Sequence, residues 1–123
     1  MTNVFADQTK FMVACDQTVD TYNSEQYKLY LNLIREEYNE LMVALDQEDL
    51  VEQLDALEDL IVVIVGAMNS AGFNGEGAWN EVMRTNFAKI DPETGKVRKR
   101  EDGKVLKPEG WTAPDIEKIL KGK

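Results

Sequence analysis

The stretch that decides the fold reads LDALEDLIVVIVGAM and covers residues 54–68. Its second half is apolar on every side, which is typical of a helix that is buried on all faces. Its first half places acids directly before that apolar run, with Asp55 and Asp59 one helical turn apart. The apolar run from Leu60 to Met68 is far too short to cross a membrane. The stretch therefore predicts a core helix whose entry carries carboxylates.

A second acidic set precedes this stretch, on a helix predicted over residues 25–46 with Ser24 as its N-cap. In helical projection Glu37 and Glu40 fall inside the apolar arc, and Glu36 falls at its edge. The apolar arc consists of Leu29, Leu33, Ile34, Leu41 and Ala44. A surface helix normally places its acids on the opposite face, and a buried carboxylate without a partner costs several kcal/mol. The pattern therefore predicts a cation beside Glu37 and Glu40.

The short link between the two helices favours antiparallel packing, which brings the two acidic sets face to face. The sequence has no histidine and one cysteine, which excludes zinc sites, serine–histidine triads and an intrachain disulfide. Oxygen ligands remain, and these favour Mg²⁺, Mn²⁺ or Ca²⁺. The candidate metal ligands are Glu37, Glu40, Asp55, Glu58 and Asp59. The alternative is a solvated acidic face, above all for Glu36 and Asp55.

The chain of 123 residues carries 23 acidic and 14 basic side chains, a net charge of −9. This field repels nucleic acid, so we expect no nucleic-acid partner. The N-terminus has no basic region followed by an apolar run, which predicts a cytoplasmic protein with no membrane partner. The basic residues concentrate late in the chain. They include Lys96, Arg98, Lys99, Arg100, Lys104 and Lys107.

The order of helical segments predicts an all-α fold, a four-helix bundle that oligomerisation completes. Helices are expected at about 4–15, 25–46, from the short link to near residue 72, and 76–88. Residues 96–98 and 104–106 predict a short hairpin, and Pro114 predicts the first turn of a last helix to about residue 121. We expect a helical catalytic part at 1–90 and a tail at 91–123 within one domain. A core this small predicts a homodimer or a dimer of dimers.

The ordered motifs resemble the all-α nucleoside triphosphate pyrophosphohydrolases, which include MazG, the dimeric dUTPases and phosphoribosyl-ATP pyrophosphohydrolase. The family's Glu-Glu-x-x-Glu is similar to residues 36–40, and its acidic entry to an aliphatic helix is similar to residues 54–63. Its Ser-Asn-x-x-Lys ending is similar to residues 85–89, with Thr85 in place of serine. One departure concerns the common Glu-x-x-Asp form, because Ala56 stands where the Glu is expected. Asp55 or Glu58 must then substitute for it.

The resemblance implies Mg²⁺-dependent hydrolysis of a nucleoside triphosphate or deoxynucleoside triphosphate to the monophosphate and pyrophosphate, in nucleotide-pool control or housecleaning. Mn²⁺ is expected to substitute for Mg²⁺. Glu36 and Glu37 are implied as catalytic residues, the free carboxylate accepting a proton. The implied substrate-binding residues are Asn86, Lys89, Lys104, Lys107 and Gln17. From the residues alone, Trp111 is interpreted as a core or interface side chain.

Two other functions are compatible with the pattern. One is a non-catalytic helical partner-binding or regulatory module, for which metal is irrelevant. The other is a Ca²⁺- or Mg²⁺-binding protein without turnover, although no EF-hand loop is present. The base that the substrate carries is not readable from the sequence.

Overall fold

The computed structural model describes residues 2–122, and all of its regular elements are helices. They are α1 (Val4–Ala14), α2 (Ser24–Asp46), α3 (Leu50–Ser70), α4 (Gly75–Phe87) and α5 (Ile116–Lys121). The all-α class and the order of helices are thus confirmed. The chain divides after Gly75 into two compact units, which we call the N-terminal and C-terminal units. The division at residue 90 stays a prediction.

Short polar side chains begin four of these helices, because each accepts a hydrogen bond from a backbone N–H that has no partner within the helix. The N-caps are Asn3, Asn23, Asp49 and Asp115. The prediction of Ser24 as an N-cap was wrong, since Asn23 caps α2 and Ser24 is its first helical residue. The predicted position of Pro114 was also wrong. It precedes Asp115, the N-cap of α5, and does not lie in the first turn of that helix.

The turn between α2 and α3 is tight. Asp49 donates its backbone N–H to the carbonyl oxygen of Ala44 at 3.0 Å, which closes the end of α2. Glu48 adopts a left-handed conformation with φ of 54°, although it is not a glycine. This reversal is what allows three residues to turn the chain back along itself.

Contacts along the two long helices show that they are antiparallel. The side chain of Gln26, near the start of α2, donates to Oγ of Ser70 at the end of α3, at 2.8 Å. One turn further along, the Tyr30 ring lies on Gly66, and a Cβ at that glycine would come 2.2 Å from the ring. Gly66 therefore makes room for the Tyr30 ring between the two helices, and a larger residue there would displace that ring.

The core of the N-terminal unit is small. Met12 of α1 is fully buried against Tyr30 of α2 and against Val63 and Ala67 of α3. Asn69 fixes α1 to α3 by donating to Oγ1 of Thr9 at 3.1 Å.

The expectation that α3 is buried on every side was wrong. Val63 and Val65 are buried, but Ile61, Val62 and Ile64 are exposed, each by about two-fifths. The reason is that α1 and α2 cover only part of the helix circumference. Within residues 2–122 no helix combines the length and the apolar composition of a membrane span.

The tail of the C-terminal unit pairs as a short hairpin. Arg100 donates its backbone N–H to the Lys104 carbonyl oxygen, and Leu106 donates to that of Arg98, both at 2.8 Å. Lys99 lies opposite Val105 as an isolated bridge. The pairing thus uses residues 98–100, two positions later than the predicted residues 96–98.

Candidate active site

The register of the α2–α3 pair determines which acids meet. Because Gln26 faces Ser70 and Tyr30 faces Gly66, Glu37 comes opposite Asp59. Glu37 and Asp59 are both half-buried. The structure therefore places one acid from each predicted set at the helix–helix contact.

Glu40 differs from its prediction. It was expected to be buried within the apolar arc, but its side chain is exposed, as is that of Glu36. Along the same register Glu40 comes opposite Ala56, which is 3 % exposed. A methyl group at that position covers little of the carboxylate, so Glu40 reaches water while remaining beside Glu37.

The electrostatics centre on Glu37. The pKa of this carboxyl is raised from 4.5 to about 7, first by burial and then by hydrogen bonding with Glu40 and by the charges of Glu40, Asp59 and Asp55. Its Oε2 atom is buried and has no hydrogen-bond partner among residues 2–122. Since a buried polar atom without a partner is costly, a proton or a cation bound at this oxygen would be stabilising.

Asp59 belongs to the same cluster. Its pKa is raised by burial and then by the charges of Asp55, Glu40 and Glu58. Asp55 thus acts on both half-buried acids, whereas Glu58 acts on Asp59 and not on Glu37. We call the set Glu37, Glu40, Asp55 and Asp59 the carboxylate cluster.

The fit of this cluster to a metal ion was tested on its donor atoms. All donors are carboxylate oxygens, the ligands that a hard divalent cation such as Mg²⁺ takes. The partnerless Oε2 of Glu37 supplies the vacant lone pairs. The carboxylates interact electrostatically, yet no three acidic or cysteine side chains among residues 2–122 converge on one ligand position within the single chain. The cluster therefore fits a hard cation in the chemistry of its donor atoms, whereas in the single chain these carboxylates do not converge and repel one another.

Three of the predicted substrate-binding residues lie on α4 or just after it, or in the tail. Lys89 donates to Oδ1 of Asn86 at 3.1 Å, and its amine lies 5.1 Å from the centre of the Trp111 ring. The amine of Lys107 lies 4.8 Å from the same ring. Trp111 in turn donates its indole N–H to the Thr85 carbonyl oxygen at 2.6 Å. The structure thus brings Lys89 and Lys107 to Trp111, with Asn86 joined to them through Lys89. Sequence reasoning interpreted Trp111 only as a core or interface side chain.

The other two predicted substrate residues are placed differently. Gln17 accepts a hydrogen bond from the Tyr30 hydroxyl at 2.6 Å, so it is anchored to α2 in the N-terminal unit. Lys104 is exposed at the hairpin turn, where its backbone N–H donates to Oδ1 of Asp102.

A pH dependence of stability follows from Glu37. Its pKa is higher in the folded chain than the ordinary 4.5, so the folded chain binds this proton more tightly than the unfolded chain. The contribution of Glu37 to the stability of the metal-free chain is therefore fully present below about pH 4.5 and is lost as pH rises through about 7, by about 1 kcal/mol after solvent screening. Thermal unfolding in EDTA from pH 4.5 to 8.5 measures this, and Glu37→Gln should flatten the profile. A melting temperature that rises over this range would contradict the assignment.

The fold and the site together define a class: an all-α protein whose two longest helices face each other through carboxylates. The family model of phosphoribosyl-ATP pyrophosphohydrolase matches residues 11–86, more than half of the chain. The chain therefore belongs to this family, within the MazG-like all-α nucleoside triphosphate pyrophosphohydrolases. It is accordingly a hydrolase that acts on acid anhydrides, a pyrophosphohydrolase of nucleotide triphosphates in the general sense. No curated protein matches the chain. The matched range contains the whole of α2 and α3, and it ends at Asn86, before Lys89 and the tail.

Proposed function

We propose that this protein hydrolyses a nucleoside triphosphate or deoxynucleoside triphosphate between the α- and β-phosphates, with Mg²⁺, in cytoplasmic nucleotide-pool control or housecleaning. The observation that carries the proposal is the buried, partnerless Oε2 of Glu37 among like-charged carboxylates. Such a cluster is destabilising in the absence of a cation and becomes favourable when a cation binds.

The proposed metal ligands are Glu37, Glu40 and Asp59, with a further carboxylate at the entry of α3. Asp55 is favoured over Glu58 for that role, because its charge acts on both Glu37 and Asp59. When bound, Mg²⁺, or Mn²⁺ in its place, supplies charge neutralisation for the phosphates and a water of lowered pKa.

Glu36 and Glu37 are the proposed catalytic residues. Glu36 is exposed and lies next to the cluster in sequence without contributing to the pKa shift of Glu37 or Asp59. A carboxylate with that position is free to accept the proton of the attacking water. Glu37 is proposed to act as a metal ligand from its half-buried position opposite Asp59.

Asn86, Lys89 and Lys107 are proposed to bind the substrate phosphates, since the two lysine amines lie over one aromatic ring and Asn86 is hydrogen-bonded to Lys89. Lys104 is proposed to join them from the hairpin turn. Gln17 is proposed to contact the base, held by Tyr30 at a defined position.

A second copy of the chain is proposed to complete the fold as a homodimer or dimer of dimers. Large apolar side chains are exposed along α3 at a heptad spacing, which is the pattern of a helix-packing seam. They are Leu50, Leu54, Leu57, Ile61 and Ile64. A matching exposed series on α2 consists of Leu31, Tyr38, Met42 and Leu45. Pairing of two such chains would make one four-helix bundle and would cover the apolar patch that a single chain leaves in water.

The assay that tests the function measures pyrophosphate release from each nucleoside and deoxynucleoside triphosphate and from phosphoribosyl-ATP, with Mg²⁺ or Mn²⁺ and with EDTA. We expect release from at least one of these substrates and none in EDTA. A folded protein that releases no pyrophosphate from any of them would instead support a non-catalytic partner-binding role. Metal binding without release would support a metal-binding protein.

A further inference from the structure

The C-terminal unit contains a cavity that the proposed metal chemistry does not use. Its volume is about 300 Å³, at the lower end of the range for ligand pockets. Apolar side chains form most of its wall, together with two cations and one carboxylate. The residues that matter here are Lys89, Ile90, Asp91, Arg98, Leu106 and Pro108.

The two cations at this cavity outnumber its one carboxylate. Neither Lys89 nor Arg98 forms an ion pair with another side chain among residues 2–122. Asp91 is occupied in the turn that follows α4, where its Oδ1 accepts the Glu93 backbone N–H at 2.8 Å. Its carbonyl oxygen accepts from Gly95 in the same turn. The lining therefore carries two cations against one carboxylate, an excess of positive charge beside an apolar wall.

A third cation stands beside the cavity. Lys107, which directly precedes Pro108 of the cavity wall, places its amine over the Trp111 ring, as Lys89 does. An aromatic ring attracts ammonium groups but does not cancel their charge. Trp111 thus contacts two lysine amines without neutralising either.

The positive charge of the chain is concentrated in the C-terminal unit, which contains this cavity. Residues 76–123 contain 11 of the 14 basic residues but only 9 of the 23 acidic residues. The C-terminal unit is therefore locally positive in a chain whose net charge is −9, and it would concentrate small anions.

We propose that this cavity binds an oligophosphate group, with Arg98 pairing with phosphate oxygens by its planar fork and Lys89 and Lys107 adding point charges. The volume suits a group of the size of pyrophosphate. That group could be free pyrophosphate or the phosphate tail of a nucleotide. The second source rests on the proposed function, which already assigns Lys89 and Lys107 to the substrate phosphates, and the present inference adds Arg98 and the cavity to that site.

The test is calorimetric titration of the full chain with pyrophosphate in EDTA, so that no metal contributes. We expect saturable binding, and Arg98→Gln should weaken it by about tenfold or more. Arg98→Lys keeps the positive charge but loses the planar fork of the guanidinium. Its affinity for pyrophosphate should lie between those of the parent and of Arg98→Gln. Lys99→Gln is the matched control, because it removes the same charge from the neighbouring residue, whose side chain points to the other side of the hairpin. Its affinity should stay within about twofold of the parent.

Absence of saturable binding, or equal weakening by Arg98→Gln and Lys99→Gln, would overturn the anion site. Displacement of pyrophosphate by a nucleoside triphosphate in EDTA would support the site and assign it to a nucleotide tail. Binding without displacement would support it as a site for the free anion. Circular dichroism of Arg98→Gln should match the parent, because Arg98 is exposed. A failed hydrolysis assay would not change these binding results, so the anion site and the proposed hydrolysis can be disproved independently.

Discussion

Glu37→Gln is expected to lower pyrophosphate release by about 10³-fold or more while leaving the chain folded. The substitution keeps the shape of the side chain but removes the charge at the centre of the carboxylate cluster. It takes away a proposed metal ligand and the group that faces Asp59 across the α2–α3 contact. In EDTA at pH 8 the variant should melt at a higher temperature than the parent, because its neutral amide is not repelled by Glu40, Asp55 and Asp59.

The control for this variant is Glu25→Gln. Glu25 lies in the first turn of the same helix, is exposed, and does not contribute to the pKa shift of Glu37 or Asp59. Its turnover should stay within about twofold of the parent. Steady-state rates at saturating Mg²⁺, together with thermal melts in EDTA, supply both readouts. Unchanged turnover in Glu37→Gln would remove this residue from the site, and a loss of turnover explained by unfolding would appear in the melts.

Ile64→Lys is expected to convert the protein to monomers and to remove activity at low protein concentration. Ile64 is 42 % exposed in the single chain, so the chain itself tolerates a lysine there. In a two-fold symmetric interface each copy would bury an unpaired ammonium group, at several kcal/mol each, which weakens association by about 10³-fold or more. Light scattering coupled to size-exclusion chromatography gives the mass, and the pyrophosphate assay on the same fractions gives the rate.

Val13→Lys serves as the comparison for this variant. Val13 is exposed by more than half on α1, away from the heptad series of α2 and α3. This variant should keep the oligomeric state and the activity of the parent. A parent chain that elutes at its monomer mass of 14.0 kDa would contradict the proposed dimer. A monomeric Ile64→Lys variant with full activity would show instead that one chain forms a complete site.

Much of the candidate site was predictable from local pattern. The acids of residues 36–40 and 55–59 stand beside apolar runs, and antiparallel packing across a short link brings them together. The exposure of Glu40 was not predictable, because the burial of its side chain depends on which residue of α3 lies opposite it. That residue is Ala56, and the register that places it there is fixed by the contact of Tyr30 with Gly66.

The choice between Asp55 and Glu58 was likewise open in the sequence. Both precede the aliphatic run, and helical spacing alone allows either to face α2. We propose Asp55 for the metal, since its charge contributes to the raised pKa of both Glu37 and Asp59, whereas that of Glu58 contributes only to that of Asp59. Coulomb interactions depend on distances through space that the spacing along one helix does not give.

The sequence by itself determined the all-α class, the boundaries of the long helices to within about two residues, and the oxygen-only chemistry of any metal site. These features follow from hydrophobic periodicity and from which residue types are present, and both are local properties. Only the tertiary structure decided that Glu37 is half-buried without a partner for Oε2 and that α3 leaves an apolar face in water. It also decided that Lys89 lines one cavity with Arg98 and places its amine over the Trp111 ring. Burial and unpaired charge depend on what packs against a side chain from elsewhere in the chain, and that information is absent from any single segment.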